Sequence, residues 1–285
     1  MGYKVAIIDD FSAKTAKIIS PKIKVYKIDV DNVNDARKIF KKEKPDFVYH
    51  LAGAINLRRQ IKDPLFIKDF NILVRTKIIL DACLENNVKK IIFISSGGAI
   101  YENAKVIPTP ENYSAHPLSL YGLANLMIEK YIELYCKESG LSFIILRLSN
   151  VYGPRQWESG IIPSIIIRLI KKEKPTINGD GIQTRDFIYI DDVIDAFIIA
   201  TKKEKTGIYN VGSNKEISLN EVFKLINELL NTNIKPIYNN NNVAENKRSA
   251  VDIQKIKKDF GWNAKTDIKT GILKVIEWYK KNGKL

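Results

Sequence analysis

The chemistry open to this chain rests on a tyrosine, a pair of serines and a few charged side chains. Tyr121 opens the run Tyr121-Gly122-Leu123-Ala124-Asn125, which reads as the start of a helix. A phenol accepts a proton only when part of it is ionised. An ordinary tyrosine titrates near about 10, so roughly one in a thousand is phenolate at neutral pH. A cation close by favours the charged form by roughly one to three units. One helical turn beyond Tyr121 stands Asn125, which carries no charge. Lys130 lies about half a turn out of phase with the tyrosine and cannot take that place. Ser95 and Ser96 close the apolar run Ile91-Ile92-Phe93-Ile94 and precede Gly97-Gly98. Their hydroxyls can bond a substrate oxygen or cap the turn. Arg185 has the planar fork that pairs bidentately with phosphate. Cys83 and Cys136 sit in apolar helical patterns with no His/Cys cluster around them, so buried thiols rather than metal ligands are expected.

Those side chains need a scaffold. Val5-Ala6-Ile7-Ile8 runs into Asp9-Asp10, and Lys24-Val25-Tyr26-Lys27-Ile28 runs into Asp29. Phe47 to Leu51, Ile91 to Ile94 and Phe143 to Arg147 are further apolar runs. Helical patterns fall between them over 34–42, 64–86 and 122–139. Apolar strands alternating with helices predict a parallel sheet covered on both faces. Beyond residue 150 the pattern changes to helices over 163–172, 219–230, 252–259 and 268–281, with a short strand over 207–212. Ser218 followed by Glu221 is a capping box. The run 239–242 is all asparagine and reads as an exposed loop.

At 285 residues the chain can bury a large core. No run of eighteen apolar residues exists, so no membrane-crossing helix is expected, and the first residues resemble neither a signal nor a transit peptide. The cysteines point to a reducing, cytoplasmic setting. A net charge of +14 suggests an anionic partner, yet the lysines are dispersed among acids rather than gathered into a stripe. A solvated surface is therefore favoured over nucleic-acid binding.

The ordered motifs resemble those of extended short-chain dehydrogenases/reductases, in particular the NAD-dependent nucleotide-sugar epimerases and dehydratases. The resemblance rests on Ile91–Tyr101, Tyr121–Asn125, His50-Leu51-Ala52-Gly53 and Asn150-Val151-Tyr152-Gly153-Pro154-Arg155-Gln156. It extends through Gly179-Asp180-Gly181, Gln183–Phe187 and Asp191-Asp192-Val193. The implied fold is α/β, a Rossmann-like doubly wound sheet over 1–150 and a smaller mixed substrate lobe over 151–285. Residues of about 186–212 would return to the main domain. The family's Gly-x-x-Gly-x-x-Gly turn, with the strand before it and the helix after it, finds no counterpart in this sequence, which begins to match at the second strand. In this fold the first strand lies mid-sheet and the pyrophosphate sits on the first helix's N-terminus. The strand ending at Asp9 is therefore expected to lack a neighbour on one side.

The resemblance also implies roles for individual residues. Tyr121 and Ser96 would be catalytic. Asp9, Asp29, Val30, Leu51, Ala52, Gly53, Asn71 and Ser95 would line the cofactor, which would be NAD. Asn150, Arg155 and Arg185 would hold the substrate, a UDP- or dTDP-sugar. His50 reads as a pocket wall. Three departures stand out: Asn125 replaces the family's lysine, Gly97 its serine or threonine, and a second phosphate arginine aligns with the asparagine run, leaving Arg248 out of register. A nucleotide-sugar-binding protein with impaired catalysis is thus expected. The alternatives are an active 4-epimerase or 4,6-dehydratase whose N-terminus is incomplete, and a non-catalytic scaffold or partner subunit. A homodimer would form through the helices at 64–86 and 122–139.

Overall fold

The computed structural model describes residues 2–12, 19–51, 71–156, 158, 160–239 and 246–282. In chain order the first elements are β1 (Ala6–Asp9), β2 (Lys24–Lys27), α1 (Val33–Glu43), β3 (Phe47–His50), α2 (Asn71–Glu85), β4 (Lys90–Ser96), α3 (Gly97–Ile100), α4 (Leu120–Ser139) and β5 (Ser142–Leu148). There follow β6 (Asn150–Tyr152), α5 (Ile161–Ile170), β7 (Thr176–Asn178), β8 (Thr184–Arg185), β9 (Phe187–Tyr189), α6 (Ile190–Lys202) and β10 (Gly207–Val211). The last are β11 (Ile217–Ser218), α7 (Leu219–Leu229), β12 (Ile237–Asn239), α8 (Gln254–Phe260) and α9 (Ile268–Asn282). The chain divides into two compact units. One holds Met1–Ile94, Leu120–Ile145 and Lys205–Gly207; the other holds Ser95–Ser119, Leu146–Glu204 and Ile208–Leu285.

In the first unit local chemistry sets the helix ends. Asn32 accepts a hydrogen bond from the Asp35 amide at 3.3 Å, and Lys44 closes α1 in the left-handed region at φ 44°. The inner face of α4 carries Gly122, Asn125, Ile128, Glu129, Ile132 and Cys136, a three-to-four-residue spacing. β4 is buried along almost its whole length, as a strand covered on both faces must be. It pairs in parallel with β3, Phe47 opposite Lys90, within a four-stranded sheet of order β10-β5-β4-β3. β1 pairs in parallel with β2, Ala6 opposite Lys24, as a separate two-stranded sheet. Among the described residues no ladder joins β1 to β3. Val5, Val25, Tyr49 and Leu51 are correspondingly exposed.

The second unit packs α5, α7 and α9 around Tyr152, Ile165, Ile177, Val222, Ile226 and Ile272, all essentially shielded from water. Each such side chain contributes about 1.5–3 kcal/mol. The capping box at Ser218 and Glu221 is formed in both directions. One expectation is corrected. Asn239 is not loop but the last residue of β12, paired in parallel with Asn178 because β7 offers it a free edge. The helix expected over 64–86 is described only as Asn71–Glu85. Residues 240–242 and 64–70, like Ala52 and Gly53, lie outside the described residues.

Candidate functional site

In the first unit, Tyr121 is the second residue of α4 and half-buried. Asn125, only 7% exposed, turns its Nδ2 back to donate to the Tyr121 carbonyl at 2.8 Å. One of its N–H donors is thereby engaged by the backbone of its own helix. Asp9 ends β1 and accepts from the Phe11 amide at 2.6 Å. Asp29 is exposed and accepts from the Asp31 amide at 3.0 Å. Beside it, Arg75 grips Asp31 through Nε at 2.7 Å and Nη2 at 2.8 Å, which holds the guanidinium above its ordinary pKa. Val30 is half-buried, Leu51 is exposed, and Asn71 begins α2.

His50 is 1% exposed. Its Nε2 lies 3.0 Å from Thr76 Oγ1, and that hydroxyl donates its own proton to the Ile72 carbonyl at 2.7 Å. Nε2 must therefore carry the hydrogen, and Nδ1 is left buried without a partner. Burial pushes the imidazole down to about 4, so it is neutral at physiological pH. Burial likewise pushes the Cys83 and Cys136 thiols up to about 12.

In the second unit, β4 delivers Ser95 and Ser96 to the turn. Ser95 is buried with its Oγ unpartnered, and Ser96 stands at the N-cap of α3 without making a cap hydrogen bond. The capping role open to the two serines is therefore not taken up by Ser96. Gly97 has a packing reason: a Cβ there would stand 2.7 Å from Val251 Cγ1. A Cβ at Gly98 would lie 3.8 Å from Asn150 Oδ1 and 3.7 Å from Ser249 Oγ, which brings the turn, Asn150 and Ser249 together. Asn150 is fixed through its amide, which donates to the Asp186 carbonyl at 2.8 Å. Arg185 donates from Nη1 to the Thr184 and Asn246 carbonyls, both at 2.8 Å. Arg155 is exposed at φ 68°, in the turn that follows β6.

Sequence reasoning missed the groups that hold this half in shape. Asp186 is 1% exposed and accepts from Ser213 N at 2.8 Å, Ser213 Oγ at 2.6 Å and the amides of Asn214 and Val251. Burial raises its pKa against the pull of those donors. Arg248 pairs with Glu216, which also accepts from Thr184 Oγ1, and this holds Glu216 below the usual carboxylate range. Among the described residues no group of three or more His, Cys, Asp or Glu could hold a metal ion, and no helix is long and apolar enough to cross a membrane.

The chain matches the description "NAD dependent epimerase/dehydratase family" over residues 1–212. It belongs to that family. It is 37% identical, over 99% of its length and 92% of the relative's, to a Methanocaldococcus jannaschii protein provisionally named a UDP-glucose 4-epimerase. Among solved structures it resembles the Thermotoga maritima UDP-glucose 4-epimerase with UDP-glucose, at TM-score 0.95 and 32% identity over 99% of this chain and 93% of that one. It also resembles the Thermus thermophilus UDP-glucose 4-epimerase in complex with NAD, at TM-score 0.90 and 25% identity over 99% and 92%. The expected Rossmann-like α/β fold of the extended reductases is therefore the fold of this family member.

Proposed function

We propose that the protein binds a UDP- or dTDP-sugar and is impaired in the transfer that the family's intact enzymes perform. The observation that carries this is Asn125: it is uncharged, buried, and bonded to the Tyr121 carbonyl at 2.8 Å. Tyr121 then lacks the cation one turn on that would favour its phenolate. Arg185 would clasp the diphosphate, Asn150 would hold a sugar oxygen, and Ser96 would lend a hydroxyl. Arg155 would flank the same ligand.

NAD is the cofactor implied by the family, and when bound it supplies hydride chemistry. The fit of the residues present is incomplete. Asp9 suits an adenosine ribose, Asp29 and Val30 follow the strand paired with β1, and Ser95 offers an unpartnered buried hydroxyl. No Gly-x-x-Gly-x-x-Gly turn occurs among the described residues to cradle a pyrophosphate.

A homodimer is part of the same proposal. α2 packs against α4, and the pair exposes Val74 at 55%, Leu123 at 41% and Leu134 at 63%. A second reading, a working 4-epimerase, is favoured by the similarity to the M. jannaschii and T. maritima proteins. The two part on one experiment: calorimetric titration with UDP-glucose followed by an interconversion assay on the same sample. The proposal predicts binding without turnover. Turnover would support the second reading, and a failure to bind would overturn both.

A further inference from the structure

β1 and β2 are parallel and paired along their whole length, so their C-terminal ends lie side by side. In open α/β sheets ligands sit beyond that end of the strands. Acids gather there: Asp9 ends β1 and Asp10 follows it, while Asp29 and Asp31 follow β2. From α2, in the same compact unit, Arg75 reaches the second pair. Its Nε donates to Asp31 Oδ1 at 2.7 Å and its Nη2 to Asp31 Oδ2 at 2.8 Å. Nη2 also stands 3.7 Å from Asp29 Oδ1, beyond hydrogen-bond distance. The two partners are 29% and 34% exposed, so this bidentate pair is sheltered better than a loose surface contact. Both are fixed from behind. Thr76, next to Arg75, is buried and bonds the Ile72 carbonyl within α2. The Asp31 amide donates to Asp29 Oδ1 at 3.0 Å, and Asn32 caps α1. The Arg75 charge is felt at β1 as well: the Ser12 amide, with the guanidinium adding to it, holds Asp10 below the usual carboxylate range.

We infer that Asp31 is a specificity-determining residue for the adenosine end of a dinucleotide: by closing the fork of Arg75 it withholds that guanidinium from a 2′-phosphate. The inference rests on the proposed reading in which Asp9 and Asp29 meet an adenosine. A guanidinium pairs bidentately with a carboxylate or with a phosphate, and here the carboxylate already holds both of the donors it needs. Asp9 and Asp10 add like charge against any phosphate that approaches β1. Without the Asp31 carboxylate, Arg75 would keep its place on α2 with only the more distant acids near it, and its fork would be open to an anion. Lys27, opposite Asp9 in the β1–β2 register, is a second cation at this end and has to be told apart from Arg75.

The test is calorimetric titration of the full chain with AMP and with adenosine 2′,5′-bisphosphate, two probes that differ only in the 2′-phosphate. Wild type is expected to bind AMP about tenfold or more tighter than the bisphosphate. Asp31→Ala should tighten the bisphosphate by about tenfold or more and leave AMP within about threefold. Asp31→Asn, which keeps an acceptor but no charge, should move the same way by less, and it serves if the alanine variant fails to fold. Adding Arg75→Ala to Asp31→Ala should abolish the gain, whereas Arg75→Ala alone should not weaken the bisphosphate. The inference is overturned if the folded Asp31 variants gain nothing. It is overturned as well if the gain survives loss of Arg75, which would assign it to Lys27 or to relief of repulsion, or if wild type binds both probes equally. If wild type binds neither probe, the adenosine reading fails, while the presence or absence of an Arg75-dependent gain in Asp31→Ala still judges the role of Asp31.

Discussion

Acid should weaken this protein through His50, and by an amount the structure sets. In the folded chain the imidazole is sealed from water, with Nε2–H spent on Thr76 Oγ1 and Nδ1 facing no partner. Protonation at Nδ1 would create a buried N–H with nothing to accept it, so the folded-state pKa falls to about 4 from an ordinary 6.5. The unfolded chain takes up the proton first as the pH drops. The stabilisation is therefore complete above 6.5 and is lost as the pH falls toward 4. Linkage puts the loss at about 2 kcal/mol between about pH 7 and about pH 5, and at about 3 kcal/mol in the acid limit. His50→Asn removes the titrating group. Urea unfolding of wild type and variant, followed by circular dichroism at both pH values, isolates the His50 share from that of the other acids. The stability advantage of wild type over variant should shrink by about 2 kcal/mol at the lower pH. An advantage that stays constant with pH would show that His50 is not held neutral by burial.

Three further outcomes are expected. Asp186→Ala strands the buried donors of Ser213 and Val251 and should cost about 2–4 kcal/mol, read as a fall in urea midpoint with unchanged slope. Gly97→Ser drives a Cβ to within 2.7 Å of Val251 Cγ1 and should destabilise by about 1–3 kcal/mol. Val251→Ala should relieve most of that cost when the two are combined, a coupling that thermal melts of the single and double variants would reveal. Arg185→Ala should weaken UDP binding by about tenfold or more in calorimetry, since a lost charged hydrogen-bond partner costs about 1.5–3 kcal/mol.

Much of the frame could be read from residues in order. The strands β3, β4 and β5, the capping box at Ser218 and the uncharged Asn125 all announce themselves within a few neighbours, because periodicity and capping are local. What stayed hidden depends on residues far apart in the chain. Gly97 looks like a lost hydroxyl until Val251 is seen filling the space. Asp186 stands next to Arg185 in the sequence, yet it bonds residues 27 and 65 positions away. Glu102 reaches the Leu118 and Ser119 amides across 16 and 17 residues, a span no helical or strand period encodes. Asn239 looks like loop by composition and becomes strand because β7 presents an edge.

The account stands most directly on turnover measured under proven occupancy. Purified protein would be saturated with UDP-glucose, as verified by calorimetry, supplied with excess NAD, and assayed for UDP-galactose. Binding with no conversion above the uncatalysed background is the predicted result. Conversion in the ordinary enzyme range of about one per second or faster would contradict it, because a phenol with an asparagine one turn away would then be moving protons as well as one paired with lysine.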